Sequence, residues 1–356
     1  MTSFGYNTLG FGSFPNRFKP FHYYFIATDS GTEGLYGTED FATIELVNAS
    51  LPAAPQSDKL VYMEAHGILA FTSGRSYYYS VDGGLNWTTV ENVGPDTTLR
   101  IATDGTNVVL RRGNTAAGTD NENYYSTNGT SFTEGAALFR YPGVLSFANG
   151  YFFINGRQNN YSPAQFYGYS SDGGENWTNQ STTSEQPWYT SGSLSQVNDG
   201  GGMAWDGTNY YIAGYSYNGQ AAAEISVSNG AVRDDGWVMT NLAGNYSVSF
   251  SVAATSDLVI AGGGFKDGGP SSGQLGCLWY SDDNGSSWTI SDLLTGTNTL
   301  HAFGGGNDSL YFKTNGGEIY VTTDGNTDGS RLDSESFTVM GVPVTTQQST
   351  DNWGSN

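Results

Sequence analysis

The stretch SVDGGLNW, from Ser80 to Trp87, returns as SSDGGENW at 170–177 and as SDDNGSSW at 281–288. All three copies have the spacing S-x-D-x-G-x-x-W, which is implausible as a chance recurrence in 356 residues. An internal repeat of this kind constrains the architecture before any other feature does. The residues that define the three copies are Ser80, Asp82, Gly84, Trp87, Ser170, Asp172, Gly174, Trp177, Ser281, Asp283, Gly285 and Trp288.

Each copy lies between two runs that are rich in Tyr, Thr, Val and Trp, as in 76–80 and 87–90. Such runs on either side of an Asp-Gly turn predict a β-hairpin. The aspartate can accept hydrogen bonds from backbone amides of its own loop, and the glycine allows backbone angles that a side chain would disfavour. The tryptophan can bury a large ring in the apolar layer. The motif is therefore interpreted as a structural turn, and its spacing lacks the clustered oxygen ligands of a calcium loop.

This motif resembles the Asp-box, also called the bacterial neuraminidase repeat, which occurs in sialidases and many other β-propellers. In that family the Asp-box lies on the turn between the third and fourth strands of a blade, outside the active site. The resemblance implies an all-β fold, namely a β-propeller of four-stranded blades with Asp-box hairpins between the outer strands. It rests on three strong matches and on weaker ones along nearly the whole chain.

The weaker copies allow the repeating units to be counted. The third position of each unit falls at residues 40, 82, 128, 172, 228, 283 and 324, so successive units are 41 to 56 residues apart. A second hairpin lies between the boxes, most clearly at 99–110 and 202–212, where an Asp-Gly turn separates two apolar runs. Two hairpins per unit predict seven four-stranded blades, or six if residues 22–48 form only part of one.

The ends of the chain fit this plan. Residues 1–20 are aromatic and glycine-rich and are interpreted as an N-terminal arm, with a single propeller over 21–346 and a C-terminal tail over 347–356. Residues 336–340 predict a closing outer strand. Residues 342–346 could supply the missing innermost strand of the first blade and close the ring, which would remove exposed sheet edges.

Composition limits the classes of partner. The chain has 34 Asp and Glu against 13 Lys and Arg, a formal net charge of −21, which disfavours nucleic acid and anionic membranes. It contains no apolar run long enough for a transmembrane helix, and its N-terminus lacks the pattern of a secretory signal. Cys277 is the only cysteine, so an intrachain disulfide is ruled out, and we interpret it as a small buried hydrophobic residue.

A catalytic site is hard to assemble from the sequence. The sialidase resemblance would imply three arginines that bind a substrate carboxylate and an Arg-Ile-Pro motif near the start, but the nearest match is Arg100-Ile-Ala102. Glu64 and Asp199 are the acids with the most plausible central placement for glycoside hydrolysis, although solvated loop acids are the commoner case. The three histidines, His22, His66 and His301, lack the close spacing of a zinc site. We therefore expect no metal, no cofactor and no catalytic residues.

Aromatic loop residues are the candidates for binding. Tyr161, Trp188 and Tyr189 lie among Asn, Ser and Thr and could stack on sugar rings. In the N-terminal arm, Phe4, Tyr6, Phe11 and Phe14 could dock the protein onto a larger assembly.

Three hypotheses of function remain. The first is a non-enzymatic structural or adhesion protein of a bacteriophage particle, capsid-decorating or tail-associated, made in the host cytoplasm. It would contact other virion proteins through residues 1–20 and present loops to a protein or a cell-surface glycan. The short opening 4–12, FGYNTLGFG, resembles the start of structural proteins in phages of marine bacteria. The second is a sialidase-like glycoside hydrolase or carbohydrate-binding propeller, with an extracellular location as the alternative to the virion. The third is a cellular propeller that assists the assembly of another protein.

Overall fold

All regular secondary structure in the described part of the chain is β-strand. The computed structural model describes residues 21–54, 60–93, 99–112, 123–136, 141–157, 165–181, 203–215, 223–228, 238–241, 248–264, 276–291, 300–303, 309–314, 316–326, 328–332, 337–339 and 344–345. These ranges contain no helix, and accordingly no helix able to cross a membrane is found among them.

The strands are numbered in chain order and form seven antiparallel sheets within the described residues. The first sheet contains β1 (Tyr23–Asp29), β2 (Thr32–Thr38), β3 (Ile44–Asn48), β28 (Phe337–Val339) and β29 (Val344–Thr345). The second contains β4 (Leu60–Met63), β5 (Ile68–Ser73), β6 (Ser76–Ser80) and β7 (Thr88–Val90), and the third β8 (Leu99–Thr103), β9 (Val108–Arg112), β10 (Asn123–Ser126) and β11 (Thr133–Glu134). The fourth contains β12 (Tyr141–Ala148), β13 (Tyr151–Arg157), β14 (Gln165–Ser170) and β15 (Thr178–Ser181), and the fifth β16 (Met203–Trp205), β17 (Tyr210–Tyr215), β18 (Ala223–Ser228) and β19 (Val238–Asn241). The sixth contains β20 (Val248–Ala254), β21 (Val259–Gly264), β22 (Gly276–Ser281) and β23 (Thr289–Ile290), and the seventh β24 (Leu300–Phe303), β25 (Leu310–Thr314), β26 (Ile319–Thr322) and β27 (Ser330–Arg331).

The repeat appears in the strand register as well as in the sequence. In every sheet the Ser or Thr that opens the box turn is paired with a buried residue that is the first or second of the preceding strand. The seven pairs are Thr38 with Tyr23, Ser80 with Leu69, Ser126 with Val108, Ser170 with Phe152, Ser228 with Tyr210, Ser281 with Val259 and Thr322 with Leu310. A one-residue slip would turn every side chain of a strand to the other face, so this constancy keeps the same faces buried in each sheet.

The hydrophobic core lies between the sheets, in seven clusters that each join neighbouring sheets. In one of them, for example, Tyr24 and Leu35 of the first sheet pack against Tyr62 and Phe71 of the second. The other clusters join the second to the third sheet and so on to the seventh. The last joins the seventh sheet back to the first, where the Tyr23 and Tyr311 rings lie 5.6 Å apart. The sheets therefore pack as a closed ring, because each one covers an apolar face of the next.

The C-terminal segment completes the first sheet. β28 pairs with β1 over Ala27–Asp29, and β29 pairs with β1 over Tyr23–Tyr24. The expectation that 342–346 would supply the first strand of this sheet agrees with that pairing. The expectation of an outer strand at 336–340 is wrong, since β28 lies on the same edge of β1 and the last strand of the seventh sheet is β27. Both short strands cover the edge that β1 would otherwise expose.

Candidate functional site

The three strong boxes have one geometry, and the first copy illustrates it. Ser80 Oγ donates to Asp82 Oδ1 at 2.8 Å and accepts from the Gly84 amide at 2.7 Å. Asp82 then accepts from the Asn86 amide at 2.9 Å and from Asn86 Nδ2 at 2.6 Å. The carboxylate thus holds both sides of its own turn, as in an Asx-turn.

The other two copies repeat these contacts. Asp172 Oδ1 accepts from Ser170 Oγ at 2.8 Å and from the Asn176 amide at 3.0 Å. Asp283 accepts from Ser281 Oγ at 2.8 Å and from Ser287 Oγ at 2.6 Å. Burial tends to raise the pKa of the Asp82 and Asp172 carboxyls, but hydrogen bonds from the loop outweigh it and their pKa falls below the usual value. For Asp283 the hydrogen bonds from Ser287 are the main cause of the lowered pKa.

Two of the strong-box glycines are held closely against the preceding sheet. Gly84 has φ +92°, and a methyl group added there would clash with Leu35 Cδ2. A methyl group added at Gly174 would clash with Val109 Cγ2. The carbonyls of these glycines accept hydrogen bonds from the preceding sheet, from Asn48 Nδ2 at 2.8 Å and from Asn123 Nδ2 at 3.0 Å respectively. The box therefore joins neighbouring sheets in addition to closing its own hairpin.

The three box indoles pack against apolar neighbours. Trp288 is 8% exposed and lies in the cluster between the fifth and sixth sheets. Trp87 meets the Phe71 ring edge-on at 5.0 Å, and Trp177 donates from Nε1 to the Gly174 carbonyl at 2.9 Å. Trp87 and Trp177 are half-buried, so all three indoles are at least partly packed against the protein.

The weaker copies keep part of this bonding. Ser126 Oγ donates to Asn128 Oδ1 at 3.0 Å, and the Gly129 amide donates to Ser126 Oγ at 2.9 Å. In the first sheet the Phe41 amide donates to Thr38 Oγ1 at 2.8 Å. The fifth unit's turn, after Ser228, lies outside the described residues. The seventh unit departs from the pattern, because Thr322 Oγ1 donates to Asp328 Oδ1 at 2.6 Å.

The second type of hairpin, between the first two strands of a sheet, is also closed by an aspartate. Asp104 accepts from the Thr106 amide at 2.8 Å and from Asn107 Nδ2 at 2.7 Å. Asp206 accepts in the same way from the Thr208 amide at 2.7 Å, and also from the Tyr211 hydroxyl. Burial together with this bond raises the pKa of the Tyr211 phenol. These aspartates stabilise turns and are poorly placed to act on a substrate.

The acids and bases considered for catalysis are dispersed. Glu64 lies in the turn between β4 and β5, and its Oε2 is buried without a hydrogen-bond partner. Arg100 on β8 is paired across the sheet with Arg111 on β9, which is 1% exposed. His66 Nε2 lies 3.0 Å from the Thr106 carbonyl oxygen. Asp199 lies outside the described residues, and among those residues no three His, Cys, Asp or Glu are grouped so as to hold a metal.

The residues proposed for binding lie outside the described part of the chain. This applies to Tyr161, Trp188 and Tyr189, and to the arm residues Phe4, Tyr6, Phe11 and Phe14. The strands that flank the first three are described. Tyr161 falls between the end of β13 and the start of β14, and Trp188 and Tyr189 fall between β15 and β16. Because strands alternate in direction, both connections leave their sheets at the ends opposite to the box turns.

Comparison with known proteins gives a fold and no family. No protein-family profile matches the chain, and no curated protein does. Among solved structures, the chain is similar to the GH74 xyloglucanase of Xanthomonas campestris, with TM-score 0.50 and 14% identity over 76% of this chain and 44% of that one. It also matches the β-propeller domain of the Trilobed protease from Pyrococcus furiosus, with TM-score 0.49 and 12% identity over 77% of this chain and 83% of that one. YCF48 bound to D1 peptide gives TM-score 0.48 and 15% identity over 79% of this chain and 82% of that one. These neighbours are β-propeller proteins, and at such identities the likeness concerns the fold alone.

Proposed function

We propose that the chain is a non-catalytic binding module, in which a seven-bladed β-propeller with Asp-box hairpins is a rigid support for loops. The observation that carries the proposal is the bonding of the box aspartates. Asp82, Asp172 and Asp283 are engaged by the amides, hydroxyls and side chains of their own turns. A carboxylate held in this way stabilises the framework and has little remaining capacity to act as a general base or nucleophile.

The lengths of the connections suggest that the two ends of each sheet have different roles, one structural and one in recognition. The box turns are short and of similar length. The connections at the other ends vary more in length, from two residues between β1 and β2 and between β5 and β6 to 21 residues between β15 and β16. Variable loops on a rigid scaffold are the usual site of recognition. Tyr161, Trp188 and Tyr189 belong to such connections, so we place carbohydrate recognition there, with the aromatic rings stacking on sugars.

A glycan array tests this binding role. Wild-type protein should bind at least one class of glycan, and the double substitution Trp188→Ala with Tyr189→Ala should abolish that signal while the unfolding temperature stays unchanged. Leu85→Ala is the matched control, because Leu85 is 50% exposed on a box turn and should have no effect on binding. Binding that survives the double substitution, or a wild type that binds no glycan, would contradict the proposal.

Catalysis is tested separately with a panel of fluorogenic glycosides that includes sialosides. The proposal expects no turnover. Hydrolysis that is abolished by one carboxylate-to-amide substitution would show that the protein is an enzyme.

The narrower hypothesis, that the chain is a structural protein of a bacteriophage particle, rests on the sequence features alone. In it residues 1–20 bury Phe4, Tyr6, Phe11 and Phe14 against other virion proteins. Mass spectrometry of purified particles should find the protein, and deletion of 1–20 should prevent its incorporation. Detection of the protein only in cell extracts with a soluble partner would favour a cellular assembly role instead.

A further inference from the structure

The turn between β26 and β27 is bonded differently from the other box turns. Thr322 occupies the serine position, and the Gly325 amide donates to its Oγ1 at 2.7 Å, as in the strong boxes. The hydroxyl of Thr322, however, donates to Asp328, which also accepts from the Thr323 amide at 2.8 Å. A second carboxylate has therefore taken over the contact that the box aspartate makes elsewhere.

Each of the two aspartates in this turn accepts a hydrogen bond from the backbone amide of the other. Asp324 Oδ1 accepts from the Asn326 amide at 2.7 Å and from the Asp328 amide at 3.3 Å. Asp328 Oδ1 accepts in return from the Asp324 amide at 3.3 Å. Two formal negative charges are thus held within one short turn, in which Asp324 and Asp328 are exposed and Asn326 lies between them in the sequence.

The sequence of this segment also points to a cation. Residues 324–335 read DGNTDGSRLDSE, which fits D-x-[DN]-x-[DN]-G-x5-E, the pattern of a twelve-residue calcium-binding loop, at every specified position. The matching residues are Asp324, Asn326, Asp328, Gly329 and Glu335, the last of which lies outside the described residues. The strong boxes lack the pattern, because a glycine stands two residues after Asp82, Asp172 and Asp283.

We propose that the 324–328 turn binds Ca²⁺ through side-chain oxygens of Asp324, Asn326 and Asp328. Calcium takes six to eight oxygen ligands, and carboxylates, amide carbonyls and waters are its usual ones. A carboxylate has about four lone-pair sites on its two oxygens, so Asp324 and Asp328 can bind the ion while they accept backbone amides. The expectation of no metal was drawn from the spacing of the strong boxes and of the three histidines, and neither observation concerns this turn. The seventh unit also lacks the box tryptophan, which agrees with a turn that follows the calcium-loop pattern in place of the complete box pattern.

Isothermal titration of CaCl₂ into metal-free protein at about 150 mM NaCl tests the proposal. Wild-type protein should bind one ion per chain, and its unfolding temperature should rise when CaCl₂ is present. Asp324→Asn with Asp328→Asn should lower the affinity more than tenfold. Asp82→Asn with Asp172→Asn changes the net charge equally and should leave calcium binding intact, which separates a specific site from general attraction to an acidic protein.

Asn326→Ala provides a second test in case the Asp324→Asn and Asp328→Asn double variant does not fold. It removes one oxygen ligand without changing the charge, so it should weaken calcium binding by protein that thermal unfolding shows to be folded. The proposal is overturned by a wild type that binds no Ca²⁺ at millimolar concentration. It is also overturned if the Asp324 and Asp328 variant binds like the wild type, or if both double variants lose binding to the same extent.

Discussion

A small number of side chains perform the same task many times in this protein. Ser80 and Asp82 show the arrangement, in which the serine hydroxyl connects the aspartate to the glycine amide and the aspartate holds the far side of the turn. Hydrogen bonds to an ionised acceptor are stronger than those between neutral groups, and they also lower the pKa of the carboxyl. At the residue scale the box is therefore a polar clamp whose glycine must pass close to the neighbouring sheet.

Alanine substitutions at two glycines separate the free-energy cost of backbone strain from the cost of overpacking against a neighbour. Gly207 has φ +97° and nothing near its missing side chain, so Gly207→Ala should cost only the backbone strain, roughly 1 to 2 kcal/mol. Gly84 has a similar φ of +92° and also faces Leu35, so Gly84→Ala should cost about 1 to 3 kcal/mol more through overpacking. Urea unfolding measures both. Equal losses would show that the predicted contact with Leu35 carries no energy.

At the scale of the element, each four-stranded sheet contains two hairpins with different turns. In all seven sheets the box Ser or Thr lies opposite a buried residue at the start of the preceding strand, and in the strong boxes the indole packs against the apolar layer beside its own sheet. The same eight-residue segment therefore closes the hairpin and makes the contact with the neighbouring sheet.

Trp177→Ala tests the contribution of the indole to its hairpin. Loss of a fully buried aromatic side chain costs roughly 3 to 5 kcal/mol. Trp177 is half-buried, so this range is the upper bound, and the substitution also removes the bond from Nε1 to the Gly174 carbonyl. Chemical denaturation measures the loss, with Leu85→Ala as a nearly neutral control on another box turn. The glycan profile of the folded fraction should not change, and a selective loss of binding would mean that the box belongs to a recognition site.

At the scale of the whole molecule, the ring depends on contacts between residues far apart in sequence. The first sheet receives β28 and β29 from the C-terminal segment, and the seventh sheet packs Tyr311 and Ile319 against the first sheet at Tyr23 and Phe41. Closure protects sheet edges that would otherwise pair with other chains. It also makes the stability of the first sheet depend on the last residues of the fold.

Truncation tests the closure. Removal of 337–356 should lower the unfolding temperature and promote aggregation, because the edge of β1 becomes exposed. Removal of 347–356 alone leaves both closing strands in place and should have little effect. Thermal unfolding with light scattering measures the two variants, and equal behaviour would contradict a closing role for β28 and β29.

The sequence determined the all-β class, the repeating unit and the hairpin turns, because turn chemistry is local and each box carries its own Ser, Asp and Gly. It also contains the calcium-loop pattern at 324–335, whose spacing differs from that of the box. Only the tertiary structure decided that β28 and β29 share one edge of β1, and that Asp328 replaces Asp324 as the partner of Thr322. The reason is physical, because β28 and β29 are some 300 residues from β1 in the sequence. A pairing over that distance depends on which strand edge the rest of the ring leaves uncovered, and local turn chemistry does not determine it.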